Sequence, residues 1–153
     1  MKKLILLVSI LAMAGCSSKL VRFEQYSVAM NLKVEEDSTV YLGEEDQFNG
    51  VLFLQPILDA ENMMIHEVKV IQNYGRYFLC AEQFKYVWEI EPRGDGVSGK
   101  YKAIDVTPED KTDVLRNVSF TRYGNPDKAC IRFRFNGKEV FIDKKGGLNE
   151  VCK

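Results

Sequence analysis

The chain is predicted to fold as a mainly β domain, an antiparallel β-sandwich or small β-barrel with one short connecting helix at about residues 108–117. Three observations carry this expectation. Apolar residues recur at every second position over several short runs, the period of a half-buried strand. Clusters of Gly, Pro, Asn and Asp separate those runs. An Asn136-Gly137 dipeptide stands between two alternating segments, which is a strong short-range hairpin signal. Many short strands with a single helix indicate packed antiparallel sheets. Alternation alone leaves sandwich and barrel open.

In chain order, YSVAMNLKV (26–34) puts Tyr26, Val28, Met30, Leu32 and Val34 on one face and Ser27, Ala29, Asn31 and Lys33 on the other. Less regular alternation marks 39–42, 51–57, 63–72, 76–82, 84–91, 100–106 and 118–123. Between the last two, Thr107-Pro108-Glu109-Asp110 reads as an N-cap, Pro at the first helical position and an acidic first turn, with Val114, Leu115 and Val118 as the apolar stripe.

In ACIRFRFNGKEVFID (129–143), a type I′ turn at Asn136-Gly137 sets Phe135 opposite Lys138, Phe133 opposite Val140 and Ile131 opposite Ile142. Ile131, Phe133, Phe135, Val140 and Ile142 then share the buried side. Arg134 faces Glu139 and Arg132 faces Phe141 on the outer side, a charge pair and a cation–π contact. Cys130 also falls on that side. There is no internal repeat and no low-complexity tract.

The N-terminal residues speak about location. Lys2 and Lys3 precede an apolar run, 4–14, broken only by Ser9. That is signal-peptide length, well short of the roughly 20 residues of a spanning helix. The run ends in Met13-Ala14-Gly15-Cys16. This resembles the bacterial lipobox, with Met13 where the pattern more often has Leu. The resemblance covers about residues 1–18 and no family is recognised for the mature domain.

It implies a cleaved signal peptide at 1–15, lipidation of Cys16 as the mature N-terminus, a short linker through residue 21, and a single β-rich domain at 22–153. In Gram-negative lipoproteins the residue after the lipidated cysteine sorts the protein. Ser17, in place of an Asp, implies the outer membrane. The domain would face the periplasm, with the cell surface as the alternative, and the linker of about five residues reaches roughly 18 Å.

Removing residues 1–15 from the 153 leaves 138, enough for one domain with a full core. The mature chain carries 19 Lys plus Arg against 22 Asp plus Glu, a formal −3, which argues against a nucleic-acid partner. The charge is uneven. Residues 16–67 hold 3 basic and 10 acidic groups, whereas residues 130–153 hold 6 basic and 3 acidic.

With Cys16 assigned to lipid, Cys80, Cys130 and Cys152 remain in a compartment that oxidises thiols. A Cys130–Cys152 bridge is favoured, because Cys130 lies on the outer side of the hairpin and the segment 146–149 is one that a bridge would tie down. Cys80 as partner of either is the alternative.

No constellation announces catalysis. GDGVSGKY (94–101) matches part of a phosphate-binding loop, yet Tyr101 stands where Ser or Thr would hold Mg²⁺ and begins an alternating run. His66, the only histidine, shares its alternation with Met64, Val68 and Val70 and is expected on the core face. One histidine and no C-x₂-C pair give no zinc set. The triplets Glu35-Glu36-Asp37 and Glu44-Glu45-Asp46 flank a strand that would separate them by roughly 17 Å, so a joint calcium site is not expected.

The expectation is therefore a non-enzymatic envelope lipoprotein without cofactor or metal. It would be membrane-anchored through Cys16 and would bind or position another envelope protein near the outer membrane. One alternative is a binder of a small apolar or lipid ligand, suggested by the runs 51–57 and 84–90 around Trp88. A second is a hydrolase of cell-wall or surface polymers, suggested only by compartment.

Overall fold

The computed structural model describes residues 28–42, 50–92, 99–109 and 113–152. Its strands are β1 (Met30–Lys33), β2 (Thr39–Tyr41), β3 (Val51–Phe53), β4 (Glu67–Asn73), β5 (Arg76–Cys80), β6 (Val87–Pro92), β7 (Gly99–Ile104), β8 (Ser119–Tyr123), β9 (Cys130–Phe135), β10 (Lys138–Ile142) and β11 (Leu148–Asn149). Among the described residues one α-helix, α1 (Gln55–Glu61), lies between β3 and β4. All strand pairs are antiparallel. They form a five-stranded sheet in the order β1-β4-β5-β6-β7, a four-stranded sheet β11-β10-β9-β8, and the two-stranded β2-β3. The domain is a β-sandwich with a third, partial layer.

The five-stranded sheet is the centre of the sandwich. Its register places Met30, Leu32, Val68, Val70, Leu79, Trp88 and Ile90 on one face, and Ile71, Phe78, Cys80, Val87 and Ile104 on the other. Both faces are buried, so β5 reads as a continuous run of buried residues rather than an alternation. The α1 layer covers the first face: the Trp88 indole N–H donates to Glu61 Oε1 at 2.8 Å. The four-stranded sheet covers the second, with Asn73 Nδ2 donating to the Ala129 carbonyl and Lys69 Nζ to the Val118 carbonyl. Phe120, Phe133 and Phe135 supply the aromatic core of that sheet, Phe120 tilted against Phe133 at 4.7 Å and Phe133 stacked on Phe135 at 5.2 Å.

The two sheets are joined at one edge by the entering chain. Val28 bridges to Thr121 and Ala29 N–H donates to the Phe120 carbonyl, both on β8, before the strand transfers to β4 at Met30. This transfer corrects the expected single face for Val28, Met30, Leu32 and Val34. Val28 is exposed on β8, while Met30, Leu32 and Val34 pack on the core. Tyr26 lies outside the described residues.

The C-terminal hairpin has the expected register at each pair, with Asn136 and Gly137 at φ 48° and 74°. Arg134 meets Glu139 at 2.6 Å. Arg132 makes its cation–π contact with Tyr123, 5.5 Å from the ring centroid, instead of with Phe141. Tyr123 is 5.4 Å from Phe141 and takes the place between them.

The short helix falls elsewhere than at 108–117. Leu115 exchanges backbone hydrogen bonds with Gln83 and Phe84 at 2.8 and 2.7 Å, Arg116 pairs with Asn136, and the described residues of the segment are extended or turned. Long-range partners thus satisfy the backbone groups a helix would have used, and Leu115 and Val118 are buried from an extended chain. The helix that forms interrupts the expected strand 51–57. Pro56 starts it, Ile57, Leu58 and Glu61 form its buried stripe, and Asn62 ends it at φ 53°.

Candidate functional site

The most exposed apolar side chain described is Met64, 90% accessible. Its position follows from how α1 ends. Asn62 turns left-handed, Asn62 N–H donates to the Asp59 carbonyl and Met63 N–H to that of Leu58, and the chain then runs without regular structure from residue 63 to a bend at His66, where β4 follows. Val34 N–H donates to the His66 carbonyl at 3.0 Å and fixes the far end. Alternation does the rest: Met63 and Ile65 pack against the core, while Met64 and His66 point out. His66 is therefore exposed, not on the core face, because the strand proper begins only at Glu67.

The segment 63–66 is a ridge between two grooves. One, about 590 Å³, is lined by Val34, Glu35, Glu36, Ser38, Gln55, Leu58, Asp59 and Asn62 with the ridge itself. The other, about 320 Å³, runs between the ridge and Glu67, Lys69, Ala81, Glu82 and Gln83. Side-chain hydrogen bonds fix the wall of the first: Ser38 Oγ donates to Gln55 at 2.8 Å and Gln55 Nε2 to Asp59 at 2.7 Å. Beside it, hydrogen bonds from Thr39 hold the Asp37 carboxyl below its usual pKa. The rim is acidic, with Glu35, Glu36, Asp59, Glu67 and Glu82. Two cations stand there: Lys33 pairs with Glu35 at 3.0 Å, and Lys69 donates to the Val118 carbonyl.

Such a surface supplies adaptable contact area. A thioether side chain on a ridge repacks against partners of varied shape, and the carboxylates around it favour a partner bearing cations.

The remaining residues singled out from sequence are dispersed. Cys130 and Cys152 form a disulfide with a Cα–Cα distance of 5.7 Å. Cys16 and Ser17 lie outside the described residues, as do Glu44, Glu45, Asp46 and the turn 94–98. Tyr101 sits within β7, as its alternation implied, and its hydroxyl donates to the Phe53 carbonyl. Trp88 is packed into the core. Cys80 is free and buried, and burial with the negative charges of Glu61 and Glu82 pushes its thiol pKa up. Among the described residues no group of three or more His, Cys, Asp or Glu is placed to hold a metal ion. Among them also, no helix is long and apolar enough to cross a membrane.

Three carboxylates do structural tasks that no sequence pattern announced. Glu61 accepts from the Lys85 and Tyr86 backbone N–H and from Trp88, at 2.7, 3.2 and 2.8 Å. Glu82 accepts from the Asn117 and Val118 N–H. Glu89, buried, pairs with Arg76 and lies 3.4 Å from Lys102. Their partners are 13 to 36 residues away in sequence, so no local signal exists for them.

No protein-family model matches the chain, and neither the curated proteins nor the solved structures give a match.

Proposed function

We propose that the protein is a lipid-anchored, non-enzymatic envelope lipoprotein of the outer membrane that binds a partner protein through the 63–66 ridge and its flanking grooves. The observation that carries the binding face is Met64, an almost fully exposed methionine standing between two grooves on an acidic rim. The observation that supports the anchor is the Met13-Ala14-Gly15-Cys16 sequence behind its apolar run. Ser17 supports the outer membrane as destination.

The aromatic run 84–90, which suggests an apolar-ligand binder, is here spent on the core: Phe84, Val87, Trp88 and Ile90 are all buried there. Protein contact is the reading the surface favours.

The test is affinity capture with crosslinking from solubilised membranes, comparing wild type, Met64→Asp and an unrelated domain on the same lipid anchor. Wild type is expected to retain a defined partner that Met64→Asp releases, with folding unaffected because Met64 contacts solvent. A capture profile identical to the tethered control removes the proposal.

A further inference from the structure

The face of the molecule opposite α1 carries its own pattern. Because directly paired residues share a face, the register aligns Val28, Thr121, Arg132, Phe141 and Asn149 in one row across the outer surface of the four-stranded sheet. Tyr123 and Cys130 belong to the same surface, further along β8 and β9. Val28 is 59% exposed and Tyr123 49%, while Val151, next to the disulfide that folds the C-terminal segment back onto this sheet, is 56% exposed. The Tyr123 ring is held between Phe141 and the Arg132 guanidinium.

An amphipathic tyrosine with a cation across its ring and aliphatic neighbours is the composition of a membrane–water interface. Charge points the same way. Lys128, Lys144 and Lys145 are exposed at the adjoining end around a cavity of about 370 Å³, with Asp127 and Asp143 as the anionic groups there, and Arg134 is paired with Glu139 on the sheet. Residues 130–153 as a whole carry 6 basic and 3 acidic groups, while Glu35, Glu36 and Asp59 of the ridge's rim line the groove against α1. An anionic bilayer attracts the first face and repels the second.

We infer that this outer sheet face, centred on Val28, Tyr123 and Val151, rests on the phospholipid surface that holds the Cys16 lipid. This orientation rests on the lipoprotein reading and extends it. The occupant is named by where the chain goes. Described residues begin at Val28, on this very face, and the 12 residues from Cys16 to Val28 span at most about 43 Å. The tether therefore joins the described domain on this face, and it is the charge of the face that turns it, not the α1 layer, toward the bilayer. With the sheet on the membrane, the three-layer stacking turns the 63–66 ridge outward.

The test reads depth with tryptophan. The full chain, purified from membranes, is placed in vesicles of phosphatidylethanolamine and phosphatidylglycerol with and without dibrominated acyl chains. Three forms are compared: wild type, Tyr123→Trp and Met64→Trp. Brominated lipid is expected to quench the emission that Tyr123→Trp adds, leaving the buried Trp88 of wild type and the Met64→Trp emission unchanged. Both new tryptophans replace exposed side chains, and the Trp88 signal reports that the fold is intact. Quenching in Met64→Trp, or no more in Tyr123→Trp than in wild type, overturns the inference. So does loss of iodide accessibility in Tyr123→Trp without bromine quenching, which is the signature of a protein covering the face. Incorporation of alkynyl palmitate separates the two levels. A chain with no lipid on Cys16 overturns the lipoprotein reading and this inference with it, whereas a lipidated Tyr123→Trp chain whose added emission stays unquenched overturns the orientation alone.

Discussion

Glu61 shows how much one carboxylate holds together. Its two oxygens take three donors, two from the backbone ahead of β6 and one from Trp88, and so fasten α1 to the central sheet. Glu61→Ala leaves those donors without partners, each costing about 1–3 kcal/mol when buried. Chemical denaturation is expected to show a loss of roughly 3–5 kcal/mol and a shifted Trp88 emission, whereas Glu61→Gln keeps part of the network. At Asp143 burial opposes ionisation, but hydrogen bonds from the Gly147 and Lys145 N–H and from Asn149, with the Lys145 charge, outweigh it and hold the carboxyl below its usual 3.8. A folded pKa below the unfolded one contributes stability above pH 3.8 that is lost as pH falls through the folded value. Hydrogen exchange is expected to find 143–149 loosening in that acid window, and Asp143→Asn to abolish the pH dependence. Cys80 is expected to resist native alkylation, since the thiolate is the nucleophile and burial disfavours it. Unfolded without reductant, the membrane-extracted protein is then expected to titrate one thiol; a second would be an unlipidated Cys16. The Cys130–Cys152 pair was legible in the sequence, because the hairpin register places Cys130 on the side over which the C-terminal segment folds. Glu61 and Glu82 were not, since their partners become neighbours only after the sheets assemble.

Elements differ in how far their information is local. The 130–142 hairpin was legible in its turn and its register: Asn136-Gly137 sets the turn and the turn sets the pairs, but Cys130 and Phe141, on the outer side, are buried as well, and Arg132 meets Tyr123 instead of Phe141. The helix was not. Thr107-Pro108 carries a good start signal, but Leu115 has backbone partners at Gln83 and Phe84, and tertiary pairing overrode propensity. Pro56 and Asn62 were the usable signals for α1, hidden inside an apolar run that resembled a strand. The 143–147 turn has a requirement of its own. Gly146 sits at φ +73°, and a Cβ there would fall 2.1 Å from Glu89 Oε2. Gly146→Ala is expected to lower stability by about 2 kcal/mol or more through backbone strain plus displacement of the Glu89–Arg76–Lys102 cluster, read as a lower Tm.

At the scale of the whole molecule, the central sheet buried on both faces gives two outer surfaces of opposite character. One is the acidic, methionine-bearing α1 side; the other is the aromatic and basic outer sheet, locked at one end by the Cys130–Cys152 disulfide. Replacing both cysteines by serine is expected to cost roughly 2–4 kcal/mol in denaturant, for a loop of 22 residues, and to release the C-terminal segment. Fold class and charge asymmetry could be read from the sequence, but the opposition of the two surfaces emerges only from layer order. In-cell photocrosslinking from position 64 and, in parallel, position 123 tests that opposition most directly. One defined protein adduct is expected from position 64 and only lipid adducts from position 123. The same protein captured from 123, with nothing from 64, would contradict it.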